Sequence, residues 1–440
     1  MSNINVNEAI DNAKFNSFHW KVLFWCTLII IFDGYDLVIY GVVLPKLMSQ
    51  WDLDPYVAGM LGSAALFGMM FGAMGFGMLS DKLGRKKTIL MCVVLFSAVS
   101  AINGLASTPW QFGILRFIAG LGIGGVMPNV VSLMTEYSPK KSRSTLVALM
   151  FSGYAVGGMM SAGLGIWIVP RFGWEIMFFL AAVPLALLPL MIKYLPESLT
   201  FLITQNREQE ARELLAKVEP SCDIKQDSVL VVSSAEKAQA PVLELFRDGR
   251  MFSTLMFWTA FFCCLLMVYA LGSWLPKLMS VAGYGLSSSL MFLMILNVGA
   301  IIGAVGGGWL ADRFSLRSVL VCFFILGSIS LVMLGYNNPT WVLYTLVGIA
   351  GAATIGSQIL LYAYVAQYYP TNIRSTGLGW ASGVGRNGAI FGPMVGGTLL
   401  AMALPHQVNF LVLAIPGIIA TISMILVDRN FSSKPLSVEA

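Results

Sequence analysis

The chain has 440 residues, 57% hydrophobic and only 11% charged, with a formal net charge of +5. A soluble domain is about one quarter charged, so this balance excludes a string of soluble domains and points to lipid as the solvent. The net charge is too small for a nucleic-acid partner, and there is no basic stripe with interleaved aromatics.

In chain order, a polar tail of residues 1–20 is followed by twelve long apolar stretches. They begin near Val22, Val57, Thr88, Gln111, Leu146, Glu175, Phe252, Ser288, Ser318, Trp341, Ser375 and Asn409. Each runs for the roughly 20 residues that a helix needs to cross the hydrocarbon core. The expected architecture is an all-α integral membrane protein with a six-helix bundle over 21–194, a polar loop over 195–250, a second six-helix bundle over 251–428 and a tail over 429–440. A surface helix is expected from Arg207 to Lys217. No cleavable signal is expected, because the first apolar run is too long for a signal core. The six cysteines lack metal-ligand spacing and read as small packing residues.

The loops alternate in charge. With both termini in the cytoplasm, the inner segments carry 22 of the 27 Lys and Arg, and the outer ones carry only Lys46, Arg171 and Lys277. This is the positive-inside pattern, and it predicts an even number of spans.

An internal repeat organises the chain. LPKLMS occurs at Leu44–Ser49 and again at Leu275–Ser280, an offset of 231. The same offset aligns Gly77 and Asp81 with Gly308 and Asp312, and Glu136, Pro139 and Arg143 with Gln367, Pro370 and Arg374. Two parallel halves of equal topology follow, the architecture of major facilitator transporters.

Four charged residues lie inside the apolar stretches: Asp33, Asp36, Arg116 and Arg386. Each costs about 2.5–3.5 kcal/mol to insert, so each must line a wet cavity, pair with another, or bind something. Asp33 lies midway between Lys21 and Lys46, with Asp36 about 4.5 Å further outward. Arg386 follows Arg374 by about 18 Å, again near mid-depth, and Arg116 is level with Asp36. Asp33, Asp36 and Tyr40 share a helix face. The repeat places Cys264, Met267 and Ala155 opposite Asp33, Asp36 and Arg386, so these charges are not requirements of the fold.

GMLSDKLGRKK, with Gly77, Asp81, Lys82, Gly84, Arg85 and Lys86, resembles the signature loop of the major facilitator superfamily. IFDGYDLVIYGVVLP resembles the first helix of its aromatic acid/proton symporters, whose signature is Asp-Gly-x-Asp. The resemblance continues through LRFIAGLGIGGVMPN, MFSGYAVGGM, VYALGSWLPKLM and YYPTNIRSTGLGWASGVGRNGAIFGP, and is strongest to the benzoate transporters. It implies proton-driven import of an aromatic carboxylate, benzoate or else a hydroxybenzoate or a muconate-type dicarboxylate, across the bacterial inner membrane by a monomer. It also implies essential roles for Asp33 and Asp36, for Asp81 and Asp312 in the loops, and for Arg116 and Arg386.

On physical grounds Arg386 is the carboxylate ligand, since a guanidinium matches a carboxylate bidentately. Asp33 or Asp36 carries the proton. Arg116 is either a second substrate ligand or the partner of Asp36. Tyr154, Trp274, Tyr362 and Trp380 are candidates for stacking on a ring, and Asn129, Asn297, Gln358 and Asn387 for donating hydrogen bonds, with Tyr40 on the same face as the aspartates. Gly77, Asp81, Gly84, Arg85, Glu136, Arg143, Asp312, Arg313 and Arg374 are the expected gating set, Asp81 latching the inner side against a helix N-terminus. A drug exporter is disfavoured, since it needs no matched arginines, and so is a non-transporting sensor, which would be expected to carry an appended signalling domain for which neither tail is long enough. No nucleophile with a base and no metal cluster is present, so neither enzyme activity nor a cofactor is expected.

Overall fold

The computed structural model describes residues 3–220, 229–231, 242–370 and 373–428. The expected tail at 429–440 and Thr371 and Asn372 of the resembling motif lie outside them. Twelve helical spans are present, each starting within five residues of its expected position: Ser17–Gln50, Pro55–Leu83, Arg85–Asn103, Pro109–Tyr137, Arg143–Phe172, Glu175–Tyr194, Met251–Val281, Leu286–Arg313, Leu316–Leu334, Thr340–Tyr368, Arg374–Ala401 and His406–Leu426. They are numbered one to twelve below. Eleven are long and apolar enough to cross a membrane. The eleventh span is the exception, because eight glycines, Arg386 and Asn387 dilute its apolar content.

Two spans are interrupted. The sixth breaks between Leu180 and Val183. There the Ala181 and Ala182 amides turn back to Phe178 O and Phe179 O, and Pro184 follows, with no N–H to continue the ladder. The tenth contains a π-helical turn at Ala352–Gly356. Such turns leave backbone carbonyls poorly matched, and Cys264 Sγ donates to Thr354 O at 3.4 Å.

The surface helix forms as Glu208–Val218. One element was not expected: Asn3–Asn5 pairs in parallel with Val229–Val231. Asn16 Nδ2 also donates to Lys217 O and Val218 O, at 3.2 and 2.9 Å, closing the end of the surface helix.

The chain divides into two compact units. One holds Met1–Leu37, Ala64–Gly158 and Glu175–Lys237. Within it, a Cβ added at Gly157 would stand 2.0 Å from Ile31 O, one at Gly68 2.1 Å from Phe117 O, and one at Gly120 2.1 Å from Ala65 O. Only glycine permits such approach of one helix backbone to another.

The other unit holds Val38–Ser63, Met159–Trp174 and Ala238–Ala440. Adding 231 to each pair above gives Gly388 with Phe262 O, Gly299 with Gly348 O and Gly351 with Leu296 O, at 2.0, 2.0 and 1.9 Å. The repeat in sequence is therefore a repeat of helix crossings. This unit also takes in the ends of spans one, two and five that the loop charges predict to be external. A Cβ at Gly41 would lie 1.9 Å from Gly272 O and one at Gly59 2.8 Å from Pro393 O. Ser63 Oγ donates to Ile390 O at 2.5 Å.

Candidate functional site

Span one presents Asp33, Gly34, Tyr35 and Asp36 in succession, each about 100° further round the helix. Gly34 sits against the Tyr154 backbone of span five, where a Cβ would be 2.2 Å from Tyr154 O. The Tyr35 hydroxyl donates to Met177 O of span six at 2.8 Å. Asp36 meets span four: Arg116 Nη1 donates to Asp36 Oδ2 at 2.9 Å and Arg116 Nη2 to the Asp36 backbone carbonyl at 3.0 Å. Three successive residues thus tie span one to three different helices.

Asp33 and Asp36 are 0% exposed and Arg116 1%. A buried pair of this kind is worth little relative to apolar residues of the same volume, but removing one partner strands a charge and costs about 3–5 kcal/mol. The Arg116 guanidinium also stands 6.0 Å from the Phe178 ring centroid, and Phe112, one turn earlier on span four, packs edge-on against Phe178 at 5.5 Å. Of the two roles open to Arg116, the geometry provides that of partner to Asp36.

Arg386 lies in the second unit, half-buried at mid-span. Tyr362 of span ten stands close to it, and Ser382, one turn before Arg386, donates its hydroxyl to Gly379 O at 3.1 Å. The Tyr362 ring packs edge-on against Phe261 at 4.9 Å. Gln358, one turn from Tyr362, is also half-buried.

The remaining candidates separate by their surroundings. Trp274 is 0% exposed, and its Nε1 donates to Pro393 O at 2.7 Å, so neither face is open to a ring. The buried Tyr40 hydroxyl donates to Ala58 O of span two. Asn129 and Asn297 bond back to their own helices, at Gly125 O (2.8 Å) and Leu293 O (2.9 Å). Tyr154 is half-buried. Trp380 is exposed and stacks on Trp258 at 5.7 Å and 19°. With Asn387, Thr376, Gly383 and Val242 it lines an open hollow of about 620 Å³ along the start of span eleven.

The loop residues form a network that reaches further than the motif. Gly84, at φ 90°, makes the turn between spans two and three. Gly77 does not: it is helical, with nothing within 4 Å of where a Cβ would lie. Arg85 pairs with Glu136. Glu136 Oε1 accepts from Ser198 Oγ and Thr200 N, both at 2.9 Å. Glu197, which sequence reasoning passed over, accepts from Lys86 N at 3.0 Å and so caps span three from the loop after span six. Only its place after a helix-ending proline marked it. Arg143 pairs with Asp11 of the N-terminal helix Val6–Asp11, Arg374 Nε donates to Tyr369 O at 3.4 Å, and Arg313 lies 4.0 Å from the Trp309 ring centroid. Asp81 is exposed. The side chain of Asp312 lies outside the described residues.

A family model described as Major Facilitator Superfamily matches residues 26–310 and 297–440. The benzoate transport protein of Acinetobacter baylyi is 51% identical, over 99% of this chain and 95% of its own. The gentisate transporter of Corynebacterium glutamicum is 36% identical over 91% and 85%, and the 4-hydroxybenzoate transporter PcaK of Pseudomonas putida 34% over 96% and 95%. Among solved structures, the partially occluded inward-open xylose transporter XylE from E. coli aligns with a TM-score of 0.76 over 96% of this chain and 100% of that one. At 19% identity that likeness speaks to the fold.

Proposed function

We propose that this chain, which belongs to the Major Facilitator Superfamily, imports an aromatic carboxylate, benzoate foremost, together with a proton across a bacterial inner membrane. The near full-length identity to a benzoate transport protein supports the substrate. The observation that carries the chemistry is the division of the four intramembrane charges. Asp36 and Arg116 form one buried pair, while Arg386 stands half-exposed and outside that pair.

In this reading Arg386 takes the substrate carboxylate through two parallel N–H donors, with Tyr362 beside it. Asp33 carries the proton. Asp36 is held by Arg116 and frames the site. Coupling requires that the carrier reorient only when Arg386 holds substrate and Asp33 holds a proton. The loop charges support a topology with both termini in the cytoplasm. The repeat supports two six-helix halves, 21–194 and 251–428, rocking about the site as a monomer, with the Asp81 loop as the inner latch.

The test is uptake of radiolabelled benzoate into proteoliposomes with an imposed pH gradient, competed by a panel of acids. Saturable uptake that needs the gradient, with benzoate the strongest competitor, is expected. Saturable uptake of 4-hydroxybenzoate in preference to benzoate would move the substrate to the hydroxylated acids. No saturable benzoate uptake would reject the reading.

A further inference from the structure

The break in span six lies beside the Asp36–Arg116 pair, and the two are joined at two points. Ala181 N–H turns to Phe178 O, at 3.0 Å, which leaves Met177 O without the amide that would close a regular helical turn. In a membrane interior such a carbonyl needs another donor. Tyr35, 4% exposed, supplies it through its hydroxyl at 2.8 Å. Next in sequence, Phe178 turns its ring to the Arg116 guanidinium at 6.0 Å. Thus Tyr35 and Asp36, adjacent on span one, grip two adjacent residues of the break, one directly and one through Arg116.

We propose that Tyr35 is a positioning residue for the carrier cycle. Its hydroxyl docks the break of span six onto span one, which seats Phe178 behind Arg116 and keeps the guanidinium in register with the Asp36 carboxylate. Asp36 is thereby kept as the partner of Arg116, and the proton is left to Asp33. This inference rests on the proposed division of labour between the two aspartates. The charged and titratable groups around Asp36 are few. Span four contributes Arg116 and span one Asp33 and Tyr35, while span five meets span one here through the Tyr154 backbone at Gly34. Span six faces the pair with the uncharged Met177 and Phe178, and its one carboxylate, Glu175, stands at its first turn.

The inference predicts a specific failure when the hydroxyl is removed. In Tyr35→Phe, Met177 O loses its donor, the break relaxes, and Arg116 is no longer held against Asp36. A carboxylate that loses its cation is protonated more readily, so a second, unproductive proton site appears. Substrate binding at Arg386 is untouched.

A carbodiimide that modifies only protonated carboxyls reads this without any substrate. The purified full chain is labelled at neutral pH, and the yields at Asp33 and Asp36 are read by mass spectrometry. The expected result is a several-fold rise at Asp36 in Tyr35→Phe, with Asp33 unchanged, and the same rise in Phe178→Leu, which keeps an apolar side chain but removes the ring. An unchanged yield at Asp36 in both variants overturns the proposal. So does an equal rise at both aspartates, which would mean general loosening. If Tyr35→Phe does not purify as a monodisperse protein, Phe178→Leu decides alone. In proteoliposomes, Tyr35→Phe is expected to keep the wild-type half-saturation concentration in benzoate counterflow while losing most gradient-driven accumulation. Absence of benzoate transport in the wild type would reject the function, while the labelling result would still decide the role of Tyr35.

Discussion

Arg116 holds Asp36 twice, by its carboxylate and by its backbone carbonyl, at 2.9 and 3.0 Å. The second bond fixes where the helix lies, not only where a side chain points. A substrate that competed for Arg116 would have to replace both bonds in a site where neither residue is exposed.

Removing one member of this pair is expected to cost about 3–5 kcal/mol of stability, because the other charge is left buried. Arg116→Met and Asp36→Leu should each lower the unfolding temperature in detergent, and the double variant should recover most of the loss. Melting curves of the three proteins check this. Additive losses in the double variant would mean that the pair is not the source.

Arg386→Lys is expected to raise the half-saturation concentration for benzoate about tenfold, roughly 1.4 kcal/mol, because an ammonium cannot reproduce the planar fork. Counterflow kinetics measure it free of any effect on proton coupling. An unchanged half-saturation concentration would remove Arg386 from the carboxylate site.

Asp33→Asn is expected to abolish accumulation against a gradient yet leave counterflow measurable, since exchange needs no net proton movement. Full accumulation by this variant would move the proton to another group.

Glycines at the crossings and glycines in the open predict opposite outcomes. Gly388→Ala places a methyl group 2.0 Å from Phe262 O, an overpacking worth about 1–3 kcal/mol. Gly77→Ala meets nothing within 4 Å and should change stability by no more than about 0.5 kcal/mol. Thermal melts separate the two, and a destabilised Gly77→Ala would show that its surroundings are crowded.

Much of this was legible in the sequence because bilayer thickness and a duplicated chain both leave periodic marks. The twelve starts, the 231-residue offset and the level of Arg116 with Asp36 all follow from counting residues along helices. What counting cannot reach is the partner a side chain chooses around the helix. Tyr35 lies between two aspartates, and nothing in the sequence says that its hydroxyl meets a break in span six. Asn129 and Asn297 looked available as donors, but a buried amide can satisfy itself on its own helix. Glu197 sits in a polar loop, where a carboxylate is unremarked until its backbone partner is seen. The Asn3–Asn5 strand is too short for any alternation to mark it.

The crossings also record how the two halves grew apart. In the first half the glycine lies on span one, Gly34, beneath Tyr154 of span five; 231 residues later it lies on span eleven, Gly385, beneath Leu265 of span seven. At this one contact the two halves carry their glycine on opposite helices, whereas Gly157 and Gly388 keep theirs on the same one. A chimera combining the span-one and span-eleven sequences would pair glycine with glycine and leave a void. The reciprocal exchange would press leucine against tyrosine. At this contact, therefore, a helix of one half cannot stand in for its counterpart in the other.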